Sequence, residues 1–239
     1  MHRYIIKRLL FLIPTVLGVT LIIYIVMNIT PGNPGRMILG PNATAAEVEA
    51  MNDELGYNDP VLVRWFNYLK NIITEGDFGE SYSTKLNVLD ELWPRFLITL
   101  RLAILVLVLS VCIGVPLGIL SAVKQNSLLD TIPTMIAFFL AAVPSFVVGI
   151  LLMYVFALKL GWFPSFGLKS VKHYVLPVIA ATICELSAYL RFTKSSMLES
   201  IRQDYVRTAR AKGVAERTVI WKHALKNALL PVVTSIGMR

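Results

Sequence analysis

The stretch from Leu9 to Ile29 reads LLFLIPTVLGVTLIIYIVMNI and contains no Asp, Glu, Lys or Arg. It exceeds the roughly 18 uncharged, mostly apolar residues that mark a membrane-spanning helix. Two further runs, Leu102 to Val123 and Thr131 to Leu158, are equally free of charge, and a fourth, Tyr174 to Leu190, carries one acid, Glu185. A buried core helix rarely runs so far without charge, so the repetition argues against an ordinary soluble domain. Composition agrees, with 56% hydrophobic and 16% charged residues against about a quarter charged in soluble domains. The expected fold is all-α, a polytopic membrane helical bundle forming one domain over residues 1–239. Its spans lie near 9–29, 102–123, 132–158 and 174–194, with the start of a fifth at 228–239.

A net charge of +8 can signal a nucleic-acid partner, but its distribution points to a membrane. Ten of the 15 acids fall between Gly32 and Arg95, against five bases. The N-terminus holds Arg3, Lys7 and Arg8 with no acid. Glu199 to Asn227 holds Arg202, Arg207, Arg210, Lys212, Arg217, Lys222 and Lys226 against three acids. Lys and Arg in short loops stay on the cytoplasmic side. The N-terminus, Lys124–Asp130 and Glu199–Asn227 are therefore expected inside, and the long acidic loop outside. Four crossings satisfy that parity. The first apolar run is too long for a secretory signal, and Met27 to Pro31 offers no small-x-small cleavage site, so it reads as a retained span.

The outer loop, residues 31–97, reads as ordered. Pro31-Gly32-Asn33-Pro34-Gly35 ends the first helix. Thr44 with Glu47 forms a capping-box pair opening a helix near 45–55 that Gly56 closes. Asp59-Pro60 gives an N-cap and first-turn proline for a second helix, near 60–75, ended by Gly76. Leu62, Trp65, Phe66, Leu69, Ile72 and Ile73 form a stripe of 3.6-residue period. Trp65, Phe66 and Leu69 are expected to be largely buried, against the membrane surface, a partner or the outer mouth of a transport path.

Within the spans, Gly114 and Gly118 lie four apart, a spacing that lets membrane helices approach closely. Pro116, Pro133, Pro144 and Pro177 are tolerated in a bundle where neighbours satisfy the freed carbonyls. Ionisable groups at membrane depth mark function by default. Glu185 is expected to face an aqueous path or a neighbouring subunit. Arg191 and Lys194 read more simply as side chains snorkelling to the cytoplasmic interface. Cys112 and Cys184 fall inside spans and supply neither a disulfide framework nor metal spacing. His2, His173 and His223 are isolated. The chain contains no phosphate loop, zinc-binding H-E-x-x-H or G-x-S-x-G nucleophile turn, so no catalytic or metal site is expected, and any ATP is hydrolysed by another chain.

Residues 199–231 read ESIRQDYVRTARAKGVAERTVIWKHALKNALLP: a helix, a glycine break at Gly213 and a second helix presenting Ile220, Ala224 and Ala228. One reading is an amphipathic helix lying on anionic lipid. The other is a rigid lever docking into another protein, with Ala209, Ala211 and Gly213 permitting close approach.

The stretch DYVRTARAKG from Asp204 to Gly213, followed by HALKNALLP from His223 to Pro231, resembles the cytoplasmic EAA loop of permeases of ATP-binding-cassette importers. The resemblance is to the peptide and nickel group, and it extends to YIIKRLL near the N-terminus, PGNPG after the first span, Glu54-Leu55-Gly56, and GDFGES from Gly76 to Ser81. It covers essentially the whole chain. It implies a type I importer permease of six spans that forms half of a translocation path for peptides or a related small solute. It also implies coupling to a cytoplasmic ATPase through the 199–227 loop, with Tyr205, Arg207, Ala209, Arg210, Ala211, Gly213 and Glu216 as the coupling residues. The implied partners are a homologous second permease, two ATP-binding subunits that carry ATP and Mg, and an extracytoplasmic solute-binding protein. This chain itself would bind no cofactor. Three departures stand out. Arg207 occupies the position where the general importer signature has an acid, so no salt bridge from that acid carries over. The spacing from Gly213 to Leu230-Pro231 exceeds the general signature, as is typical of the peptide group. Ala228 to Met238, at 1.5 Å per residue, cannot cross about 30 Å of hydrocarbon, so the expectation is a chain truncated before the end of the fifth span. The alternative, a secondary ion-coupled transporter, predicts inverted repeats and several mid-membrane ionisable groups, and neither is evident.

Overall fold

The computed structural model describes residues 2–30 and 32–238. Pro31 and Arg239, at the expected exit of the first span and the end of the fifth, lie outside the described residues. The chain divides into two compact units, residues 1–97 and 98–239. No named strand occurs among the described residues. An isolated antiparallel bridge joins Glu80 to Asn87.

The first unit opens with α1 (His2–Ile29), which contains Pro14 and buries nothing of its apolar window. Asn33 caps α2 (Pro34–Leu39), its side chain accepting from Arg36 N at 3.1 Å. The expected capping box opens α3 (Ala45–Glu54): Glu47 N donates to Thr44 Oγ1, and Thr44 N donates to Glu47 Oε2 at 2.8 Å. Its hydrogen bonds hold the Glu47 carboxyl below its ordinary pKa. Gly56 follows with φ +64°, the left-handed turn that glycine makes without steric cost. Helices α2 and α3 pack closely at Gly35, whose N–H donates to the buried Asn52 Oδ1 at 2.9 Å. A Cβ on Gly35 would lie 2.7 Å from Val48 O.

Helix α4 spans Val61–Glu75 and ends at Gly76, φ +66°. Its start differs from the sequence reading: Pro60, with ψ 136°, is the N-cap, and no side chain caps the helix. The extended proline delays helical geometry by one residue, leaving Asp59 outside. The burial expectation also needs correction. Trp65 and Leu69 are only half-buried, and Phe66 is 63% exposed. The reason is which side of α4 packs. Arg64 Nη1 donates to Asn28 Oδ1 at 2.9 Å and Trp65 Nε1 to Thr20 Oγ1 at 3.3 Å, so the face holding Arg64, Trp65 and Tyr68 meets α1. Leu62, Phe66 and Ile73 point away.

Helix α5 (Val88–Val123) is longer than the expected 102–123 span, because the last ten residues of the outer loop continue into it. The second unit is built on α8 (Lys172–Ile201), with α6 (Leu128–Ala142), α7 (Ser145–Leu152) and α11 (Leu225–Gly237) packed around it. Gly114 and Gly118 of α5 lie buried against α8. A Cβ on Gly118 would sit 2.7 Å from both Leu190 O and Thr193 Cβ, and one on Gly114 3.0 Å from Tyr189 Cβ. The glycine pair thus permits the close approach its spacing suggests.

The expected single span at 132–158 is broken. Helix α6 ends before Val143, and α7 continues as a π-wound segment, Met153–Lys159; the two arms are bent by 98°. Pro144 explains the break. It has no N–H to donate, and it forces Val143 into the extended region (φ −87°, ψ 124°). Hydropathy runs through this point unbroken, and the backbone does not.

The chain then turns through α9 (Asp204–Ala211) into α10 (Glu216–Thr218), a π-wound Val219–Ala224 and α11. These last three segments are contiguous, so the helix entering the expected fifth span starts at Glu216 rather than at 228.

Candidate functional site

The residues from Ser196 to Ala228 form a hinge with its own small core. Val206, Ala209, Val219 and Ala224 are buried together, with Ile201 and Val214 packed against them. Serines of α8 lock this core to the last helix. Ser200 Oγ donates to Ala224 O at 2.7 Å and lies 2.6 Å from Tyr205 Oη, and Ser196 Oγ donates to Ala228 O at 2.8 Å. Helix α9 carries Asp204 in its first turn and Arg210 in its last, matching the ends of its dipole. Gly213, φ +76°, reverses the chain, and a Cβ there would meet nothing within 4 Å. The constraint at Gly213 is therefore conformational rather than steric.

Across that turn Arg210 and Glu216 form a two-pronged ion pair: Nη2 donates to Oε1 at 2.7 Å and Nε to Oε2 at 3.0 Å. Arg210 holds the Glu216 carboxyl below its ordinary range, and Glu216 raises the guanidinium pKa further. The pair braces α9 against α10.

The seven predicted coupling residues thus occupy distinct places. Tyr205, 40% exposed, is tied to Ser200. Arg207 is exposed, with Asp204 Oδ1 at 3.8 Å. Ala209 is buried against its own chain, so its small size serves the hinge. Arg210 and Glu216 face each other, while Ala211 and Gly213 are exposed. The outward face of α9 is therefore Arg207, Thr208 and Ala211. Glu185 is not brought to this site. It lies half-buried on α8, about 24 Å of helix before Ile201.

A second polar cluster escaped the sequence reading. Lys194 of α8, expected to snorkel, instead pairs with Asp130 of α6. Asp130 Oδ1 also accepts from Thr134 Oγ1 at 3.1 Å, and its Oδ2 accepts from Asn126 N at 3.1 Å. Lys194 Nζ donates to Thr134 Oγ1 at 3.2 Å. The acid side chain is only 8% exposed and the lysine 20%. Asp130 entered the sequence reading only as the end of the cytoplasmic segment Lys124–Asp130, and its partner lies far away in sequence. Arg191, by contrast, is exposed. Its Nε donates to Ser187 O at 3.3 Å, and its guanidinium lies 5.4 Å from the Phe138 ring centroid. The serines were missed too, although small polar residues recurring every three or four positions on a membrane helix are a legible sign of interhelical hydrogen bonding.

The family described as "Binding-protein-dependent transport system inner membrane component" matches residues 114–239, and its N-terminal counterpart matches residues 1–103. The glutathione transport system permease protein GsiC of Escherichia coli (strain K12) is 40% identical over 239 residues. That of Salmonella choleraesuis (strain SC-B67) is 39% identical over the same length. In each case the match covers 100% of this chain and 78% of the relative.

Proposed function

The chain belongs to the binding-protein-dependent transport permeases, multi-pass inner-membrane proteins of ATP-binding-cassette importers, and from that premise we propose that it carries peptides or a related small solute and couples to ATP hydrolysis through residues 199–227. Its N-terminus and this segment face the cytoplasm. It pairs with a homologous permease, two ATP-binding subunits and an extracytoplasmic binding protein. Glutathione, the solute in the names of the GsiC relatives, is itself a small peptide and belongs with dipeptides, oligopeptides and nickel chelates as a candidate. Glu185, half-buried at mid-helix on α8, is the candidate contact to the path or the partner permease.

The braced hinge carries this reading. A lever transmits movement only if it does not flex, and α9 is fixed to α8, α10 and the π-wound segment by its apolar core, by the Ser200–Tyr205 contact and by the Arg210–Glu216 pair. Its outer face remains open for a partner. Gly213→Val tests the role without a packing clash, since only the positive φ is violated, at about 1 to 3 kcal/mol. In the reconstituted complex, solute-stimulated ATP hydrolysis and transport should both fall while assembly persists. Unchanged stimulation in a correctly assembled Gly213→Val complex would remove the coupling role. Orientation is tested separately: Asn58→Cys should react with an impermeant reagent outside cells, and Ser127→Cys should not.

A further inference from the structure

Unit 1 contains a cavity of about 600 Å³ between α1, α4 and the loop segments beside them. One side follows α1 from Thr20 to Thr30, about 15 Å of helix. That is half the roughly 30 Å hydrocarbon thickness, or one leaflet. Its wall there includes Ile23 and Met27, and Met37 of α2 adds to the apolar surface. The single cation in the lining is Arg64. Its guanidinium carbon lies 4.3 Å from the Tyr57 ring centroid and 5.6 Å from that of Tyr24. One N–H is used by Asn28. Among the described residues no carboxylate lies within ion-pairing distance of it, and Arg64 is half-buried.

A half-buried guanidinium without a counter-ion, at the end of an apolar trough one leaflet long, calls for an anion attached to an apolar body. We infer that this cavity binds a phospholipid, with its phosphate on Arg64 and an acyl chain along Ile23 and Met27. The planar fork of arginine suits a phosphate, and four of its five donors remain after Asn28. Burial raises the pKa of the Tyr68 and Tyr82 phenols in the same lining, so both remain protonated donors. The outward stripe of α4 supports a lipid source. Leu62, Phe66 and Ile73 are 62%, 63% and 80% exposed, the apolar face of a helix seated at the boundary between headgroups and acyl chains. A small soluble anion would satisfy Arg64 and leave the trough unfilled.

Native mass spectrometry of the full chain, delipidated in detergent and titrated with dioleoylphosphatidylglycerol, tests this. One lipid should remain bound under activation that strips the rest. Arg64→Gln should weaken that retention at least tenfold, and Ile23→Trp, which fills the trough and leaves the cation in place, should do the same. Glycerol phosphate in large excess should not displace the lipid. Circular dichroism establishes that each variant is folded, and Ile23→Trp decides if Arg64→Gln is not. Retention unchanged in both folded variants overturns the site. Displacement by glycerol phosphate or by a soluble peptide at concentrations comparable to the lipid also overturns it, in favour of a soluble-anion site.

Discussion

Helices α1 and α8 have nearly the same length and opposite relations to the protein. Nothing of the apolar window of α1 is buried by the chain, whereas 39% of that of α8 is. Helix α1 is apolar around most of its surface, and its threonine hydroxyls donate locally, as Thr15 Oγ1 donates to Phe11 O at 2.8 Å, while Asn28 and Thr20 accept from α4. Helix α8 is interrupted by Glu185, Arg191 and Lys194 and by a run of serines and threonines. Three of those polar groups reach other helices: Lys194 to α6, Ser196 to α11, and Ser200 to the π-wound segment before it. Mean hydropathy ranks α1 well above α8, 2.7 against 1.5, because its apolar window asks for little beyond lipid. The organising helix ranks lower because its polar groups are satisfied by protein.

The largest effect should come from separating Lys194 from Asp130. Removing one partner of a buried ion pair leaves an uncompensated charge, which costs about 3 to 5 kcal/mol. Lys194→Met and Asp130→Leu should each lower the thermal midpoint in detergent sharply, and the double variant should recover much of the loss. A polar-to-apolar change on the open side of α1 should shift the midpoint little. Equal, additive losses from the two single variants would mean that the pair does not act as a unit.

Close approach separates the two helices next. A Cβ on Gly118 would lie 2.7 Å from backbone and side-chain atoms of α8, while one on Gly18 of α1 would meet nothing within 4 Å. Gly118→Ala must therefore push α5 from α8, with an overpacking cost of about 1 to 3 kcal/mol. Gly18→Ala should be neutral or stabilising by up to about 1 kcal/mol, the helix-propensity gain over glycine. Matched unfolding curves measure both. A neutral Gly118→Ala would mean that the α5–α8 contact yields easily.

These residues also mark what a sequence discloses. The capping box at Thr44–Glu47, the turns at Gly56, Gly76 and Gly213, and the Gly114–Gly118 pair were legible because their physics is local or periodic. The four hydrophobic runs were legible for the same reason. The break at Pro144 was half legible: the proline was noted, but the uncharged run across it suggested one span. The exposure of Phe66 could not be read, because a stripe of period 3.6 shows that a face is apolar and not which neighbour it meets. The Asp130–Lys194 pair could not be read at all, since it exists only once α6 and α8 are packed. At the hinge, the sequence named residues but not their arrangement. Ala209 turned inward, and Arg210 and Glu216 turned to each other.

The smallest effect should be found at that last pair, which has the same chemistry as Asp130–Lys194 without the burial. The Arg210 and Glu216 side chains are 40% and 57% exposed, and exposed pairs contribute at most about 1 kcal/mol. Arg210 holds the Glu216 carboxyl below its ordinary value of 4.5. A carboxylate with a depressed pKa contributes stability above its unfolded pKa and loses it as pH falls through the folded one. The pair should therefore contribute a constant small amount from pH 5 to neutrality and fade below about pH 4. Glu216→Gln should reproduce the acid behaviour at neutral pH, lowering the thermal midpoint slightly there and not at all at low pH. Added salt should shrink the difference, because solvent reaches both partners. Its consequence for coupling can exceed its share of stability, since the pair spans the turn that sets the angle of α9. If Glu216→Gln lowered the midpoint as much as Lys194→Met, burial would not be what distinguishes the two ion pairs.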